Sequence, residues 1–130
     1  MAKKVIKKKK KKVFKQVSSG KAYIKATYNN TIVTLADPSG NVLSWSSAGL
    51  CGFRGPKKAT PYAASVIVKD AVSKAGGYGL RDVHVFVRGV GSGRESAIRS
   101  LNANGINILS IKDATPIPHN GPRAPRPRRM

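Results

Sequence analysis

Thirteen basic residues stand in two end segments that contain no acid, and this bounds whatever the chain can fold into. Residues 1–15 hold nine lysines (Lys3, Lys4, Lys7 to Lys12 and Lys15), a block that cannot bury enough apolar surface to offset the entropy lost on ordering. Residues 116–130 hold Arg123, Arg126, Arg128 and Arg129 among Pro116, Pro118, Pro122, Pro125 and Pro127, whose fixed φ and missing N–H oppose both helix and sheet. A compact body must lie between them. The expected organisation is a disordered Lys-rich arm over 1–20, a folded body over 21–113 and an extended Pro/Arg-rich tail over 114–130.

The charge also restricts the partner. The 130 residues include 25 Lys or Arg against 5 Asp or Glu, a net charge of +20. Counted along the chain, residues 1–15 carry +9, residues 116–130 carry +4 and the stretch between carries +7. Such an excess makes a compact body repel itself, so the working state is expected to include a polyanion. Nucleic acid and an anionic membrane are the candidates. The lysine block has no adjacent amphipathic helix or lipidation motif, which places the membrane last. The apolar runs are only a few residues long, and the basic start leads into Gln16, Ser18, Ser19 and Gly20. Neither a transmembrane helix nor a signal peptide is expected. One cysteine, Cys51, cannot close an internal disulfide, and with two distant histidines it makes no zinc site, which points to a reducing compartment. A lysine run alone reads as a solvated arm, a localisation signal or a nucleic-acid arm. The second basic tail favours nucleic acid.

Within the body, Ala22, Ile24 and Ala26 alternate with Tyr23, Lys25 and Thr27 as in a half-buried strand. Asn29-Asn30 makes a turn, TIVTLA (31–36) a second strand, Asp37 to Gly40 another turn and VLSWSS (42–47) a third strand, together an antiparallel meander. Thr60-Pro61 starts a helix whose Ala63, Ala64, Ile67, Ala71, Val72 and Ala75 recur at helical spacing before Gly76-Gly77 stops it. DVHVFVR (82–88) alternates again as an interior strand. Ser92 and Glu95 have capping-box spacing for a second helix that ends at Asn104-Gly105, and Ile106, Ile108 and Ile111 supply a last strand. The order strand, strand, strand, helix, strand, helix, strand predicts a single α/β domain: a mixed sheet in which the meander adjoins parallel crossover strands, covered by helices.

The segment RGVGSGRES (88–96) places Gly89, Gly91 and Gly93 ahead of a helix N-terminus, with Arg88 and Arg94 flanking them and Ser92 between. Uncovered backbone N–H groups and the helix dipole would seat a phosphate there. The spacing is neither a dinucleotide fingerprint nor a P-loop, and a plain strand-to-helix turn would need only one or two of the glycines. A second patch, Arg54, Lys57 and Lys58 beside Phe53, suits RNA, where cations hold phosphates and rings stack on bases. Phe53 serves equally well as an anchor of its loop on the core. Catalysis finds little support. Asp37, Asp70, Asp82, Glu95 and Asp113 are scattered, where two-metal chemistry needs converging carboxylates, and Cys51, Ser47 and Ser92 lack an adjacent base. His84 reads as structural, Trp45 as core or sheet surface. Asn120-Gly121, after His119, is a turn dipeptide and a site where asparagine cyclises readily toward isoaspartate.

Three separated segments, FRGPKKATPYAA (53–64), RGVGSGRESAIRSLNANGI (88–106) and DATPIPHNGPRAPRPRR (113–129), together resemble the family of the eleventh protein of the small ribosomal subunit, in order and from about Lys21 to the end. The resemblance implies a ribonuclease-H-like α/β body without nuclease activity, bound to the central domain of small-subunit rRNA on the platform, near the mRNA path at the exit and peptidyl sites. It implies rRNA contacts for Arg54, Lys57 and Lys58, for the loop of Gly89, Gly91, Ser92, Gly93 and Arg94, and for His119, Asn120 and Arg123, beside the Arg88 already read as flanking that loop. The tail with Arg126, Arg128 and Arg129 would run between RNA and neighbouring proteins, the seventh and eighteenth of the small subunit. Pro122 stands where bacterial relatives usually have a cysteine, so no thiol role carries over, and the lysine block is richer than usual.

The expectation is therefore a structural rRNA-binding protein, not an enzyme, in a cytoplasmic or organellar ribosome, with no cofactor, metal, membrane or small-molecule substrate. The alternatives are a ribonuclease-H-like enzyme and a free DNA- or chromatin-binding protein.

Overall fold

The computed structural model of the chain describes residues 16–129. Five strands and two helices follow one another as β1 (Ser19–Ala26), β2 (Thr31–Ala36), β3 (Val42–Ser47), α1 (Pro61–Ala75), β4 (Asp82–Arg88), α2 (Gly93–Ala103) and β5 (Asn107–Asp113). A short 3₁₀ turn, Gly55–Ala59, precedes α1, and another, Gly76–Tyr78, follows it. The strands form one sheet in the order β3-β2-β1-β4-β5. The meander pairs antiparallel, and β4 joins β1, and β5 joins β4, in parallel. The single α/β domain with a mixed sheet is thus the one anticipated from the alternation of periods.

Both helices pack on one face, α1 across β2 and β3, α2 against α1, β1 and β5. Their apolar stripes meet the inward residues of the strands in one core that includes Ile24, Leu35, Ile67, Val83, Val85 and Leu101. Truncating a fully buried Ile or Leu there to Ala costs about 2–5 kcal/mol. Four alanines of α1, at 63, 64, 71 and 75, are buried, which brings that helix close to the sheet. Thr60 caps α1 through its hydroxyl, which accepts from Ala63 N–H at 3.2 Å, and Pro61 occupies the first turn, where no N–H partner is needed.

Several expectations change. The nine lysines of 1–15 lie outside the described residues, but 16–20 belong with the body: Val17 is buried and its N–H donates to Tyr78 C=O, and β1 begins at Ser19, two residues before Lys21. The Ser92–Glu95 capping box does not form. Ser92 already has helical φ/ψ and its side chain makes no cap bond, while Glu95 turns to Arg99 on the surface. In β5, Ile108 is half-buried and Ile111 is exposed; Ile106, just before the strand, is the isoleucine in the core. The register irregularity opposite Val83/His84 sets Ile108 against Val83 and Ile111 against Val85, both inward positions, so their exposure comes from an edge position that α2 covers only in part. Residues 114–129 carry no helix or strand. No helix among the described residues is long and apolar enough to cross a membrane.

Candidate nucleic-acid interface

Two loops at the helix-bearing side of the body hold most of the cations singled out from the sequence. In the first, Phe53 is half-buried against the core and meets Tyr62 edge-on, with ring centroids 6.0 Å apart, so it anchors the loop. Arg54 follows in extended conformation, Gly55 takes φ +57°, and the 3₁₀ turn then carries Lys57 and Lys58. The turn is tied to α1 because Thr60 Oγ1 donates to Lys57 C=O at 2.9 Å. Arg54 and Lys57 are exposed and Lys58 partly so.

The second loop leaves β4 at Arg88 and enters α2 at Gly93. Gly89 has φ +87°, and a β-carbon there would stand 2.1 Å from the carbonyl oxygen of Ala26. Gly91 and Gly93 press in the same way on Thr27 and Thr31, so the glycines are required by close approach to the β1–β2 corner. Gly89 N–H is not free for an anion. It donates to Thr115 Oγ1 at 3.2 Å, and Thr115 in turn bonds Asp113. Arg94 closes the ring by donating to Gly89 C=O and to Asp113 Oδ2, the latter at 2.8 Å. The Arg94 guanidinium first, then the Thr115 hydroxyl and N–H, hold the Asp113 carboxyl well below the usual carboxylate range. Asp113, one of the acids scattered along the sequence, is thus the counter-ion of the loop.

Ser92 joins the two loops: its hydroxyl donates to Ala59 C=O. Between them lies an open concavity of about 450 Å³ lined by Tyr28, Ala59, Val90, Gly91, Ser92 and Arg94. Tyr28, 79% exposed, was not among the residues picked from sequence; its only signal was a place beside the Asn29-Asn30 turn.

The acids of the described body are largely occupied: Asp70 holds Lys74, Asp113 holds Arg94 and Glu95 faces Arg99. Arg54, Lys57, Lys58 and Arg88 have no acidic partner among the described residues. A cation without a protein counter-ion in a chain of this charge is available to an external anion. His119, Asn120, Arg123, Arg126, Arg128 and Arg129 are exposed along the tail, which starts beside the second loop through Ala114 N–H to Val87 C=O at 2.8 Å. Asp70 also accepts from the buried Ser46 hydroxyl at 2.7 Å, and Lys74 and then Ser46 keep its carboxyl below the ordinary range. Cys51 lies 3.3 Å from that hydroxyl. No group of three His, Cys, Asp or Glu able to hold a metal occurs among the described residues.

The family model of ribosomal protein S11 matches residues 20–129, which takes in both loops and the tail. The chain belongs to the ribosomal protein S11 family. The small ribosomal subunit protein uS11 of two Thermus thermophilus strains is 58% identical over 114 residues, covering 88% of this chain and 88% of the relative in each case. Membership in S11 makes the chain a ribosomal protein with a structural role and sets aside the enzymatic reading.

Proposed function

We propose that the protein is a constituent of the small ribosomal subunit that binds and stabilises the central, platform domain of small-subunit rRNA near the mRNA path. The observation that carries this is that the loop cations Arg54, Lys57, Lys58 and Arg88 have no acidic partner among the described residues, while the Arg94–Asp113 pair holds the second loop in shape. Phosphates are met by those cations and by the tail arginines, Arg123, Arg126, Arg128 and Arg129, with His119 and Asn120 at the turn where the tail begins to change direction. Gly89 and Arg94 shape the second loop, leaving Gly91, Ser92 and Gly93 to border the anion site. The sheet order β3-β2-β1-β4-β5 supports a ribonuclease-H-like reading of the body. The seventh and eighteenth small-subunit proteins are the proposed neighbours, and the cytoplasmic ribosome the proposed location. The +9 of residues 1–15 would extend the same electrostatic contact.

With about 6 to 10 phosphates contacted, affinity for a platform rRNA fragment is expected to fall by about 10³ to 10⁵ between 50 and 200 mM salt. Filter binding across that range tests it, and a flat salt response would remove the mechanism. Competition with duplex DNA separates this reading from a general DNA binder. Asn120, exposed, with φ +59° and followed by Gly121, is the proposed site of isoaspartate formation. Methylation of the 113–123 peptide by an isoaspartate methyltransferase after ageing is the expected sign, and its absence would dismiss the modification.

A further inference from the structure

Among the described residues, nothing covers the face of the sheet opposite the helices, and its register places side chains on it in rows. Thr34 pairs with Trp45 and with Tyr23, Tyr23 with Phe86, and Phe86 with Lys112. One row therefore crosses all five strands as Trp45, Thr34, Tyr23, Phe86 and Lys112. Its rings are not core. Trp45 is 51% exposed, and Tyr23 and Phe86, half-buried, owe part of their cover to each other, stacked at 5.4 Å between centroids with planes 20° apart. Two residues along each strand, about 7 Å away, the rows on either side each carry cations on their central strands. Lys25 pairs with Arg88 on one side and Lys21 with His84 on the other, with Lys21 Nζ 5.9 Å from the Phe86 centroid. The face carries one acid, Asp82, at the far end of β4, where Asn107 donates to it.

We propose that this open face is an RNA surface beyond the two loops, taking unpaired bases against Trp45 and the Tyr23–Phe86 stack and their phosphates on Lys25 and Lys112, with Arg88 shared between the face and the 88–94 loop. Charge complementarity selects the occupant. An aromatic row bordered by cations on both sides suits a strand whose bases and phosphates alternate, since rings accept any base by stacking while Lys and Arg follow the backbone. A basic segment would be repelled, and a purely apolar partner would leave the cations facing it without counter-ions. A duplex keeps its bases stacked inside and cannot offer them to the rings. The inference rests on RNA being the partner, as proposed above, but, Arg88 apart, not on the loop residues.

The chain's one tryptophan, Trp45, reports on this face directly. Full-length protein would be titrated with single-stranded decauridylate, with a 16-base-pair RNA duplex and with poly-glutamate, following Trp45 fluorescence together with anisotropy of the labelled ligand. The expected result is quenching by the single strand well beyond that by the other two. In the Tyr23→Leu/Phe86→Leu variant, whose leucines keep the face apolar, the midpoint should shift by about tenfold or more with the circular-dichroism spectrum retained. Single-stranded RNA that binds by anisotropy without changing Trp45 overturns the face while sparing the loops; absence of any RNA binding overturns both readings. Equal quenching by poly-glutamate overturns RNA in favour of an acidic protein. Should the variant lose its fold, ultraviolet crosslinking of unaltered protein to decauridylate decides. Nucleotide on the 22–25 peptide or on Phe86 within 82–88 supports the face, and crosslinks confined to 54–58, Arg88 and the tail refute it.

Discussion

The two loops that Ser92 joins look alike in sequence and differ in what their charges do. Both combine glycine with basic residues ahead of a helix. In the 88–94 loop Arg94 is turned inward onto Asp113 and the Gly89 carbonyl, and the glycines are fixed by the β1–β2 corner. In the 53–60 loop Arg54, Lys57 and Lys58 have no acidic partner, and nothing lies within 4 Å of a β-carbon built on Gly55. The first loop is shape and the second is charge. A basic residue is a candidate contact only after the acids around it have been assigned.

Glycine replacement gives the largest contrast. Gly89→Ala combines a positive φ with a backbone clash and should destabilise the body by about 3 kcal/mol or more, whereas Gly55→Ala meets only the conformational penalty of about 1–2 kcal/mol. Urea unfolding of the two variants measures the gap, and equal losses would erase the distinction between the loops. Next in size is the RNA response. Replacing Arg54, Lys57 and Lys58 by Gln should lower the slope of log affinity against log salt by about 2 to 3 units with unfolding unchanged. Arg94→Gln should move stability more than slope. The reverse ranking would make Arg94 the phosphate ligand and the other three bystanders.

The smallest effect is in the acid limb. Asp113 has its pKa depressed in the folded protein, so its contribution is present above the ordinary value of 3.8 and is lost as pH falls through the lower folded value. Unaltered protein should therefore exceed Asp113→Asn in stability near neutrality, and the two should converge well below pH 4. Thermal unfolding along a pH series shows this, and a constant offset down to acid would mean that the pair with Arg94 contributes nothing.

Much of this architecture was legible because it is written in local periods. Alternation at 22–26 and 83–87 and the Thr60-Pro61 start are decided by neighbours a few residues away, and the strands and helix they announce are present. The failures are all non-local. Ser92 has the spacing of a cap, yet Ala59, 33 residues earlier, offers its hydroxyl a carbonyl across the loop junction. Asp113 reads as a strand exit until β5 has returned beside β4 and brought it to Arg94, 19 residues back. The isoleucines of β5 would suit an interior strand, and the register does set Ile108 and Ile111 opposite the inward Val83 and Val85, but an edge strand has no neighbour beyond it to cover them. The aromatic row of the open face is invisible in one dimension, since its five members are each contributed by a different strand.

The parallel pairing of β1, β4 and β5 has a mechanical consequence. Parallel strands point the same way, so Gln16, where the nine-lysine segment joins the body, and Ala114, where the arginine tail departs, sit at opposite poles of the sheet. Seven residues of strand hold those poles about 20 Å apart, roughly twice the Debye length at 0.1 M salt. At their roots the two appendages are electrostatically deaf to each other.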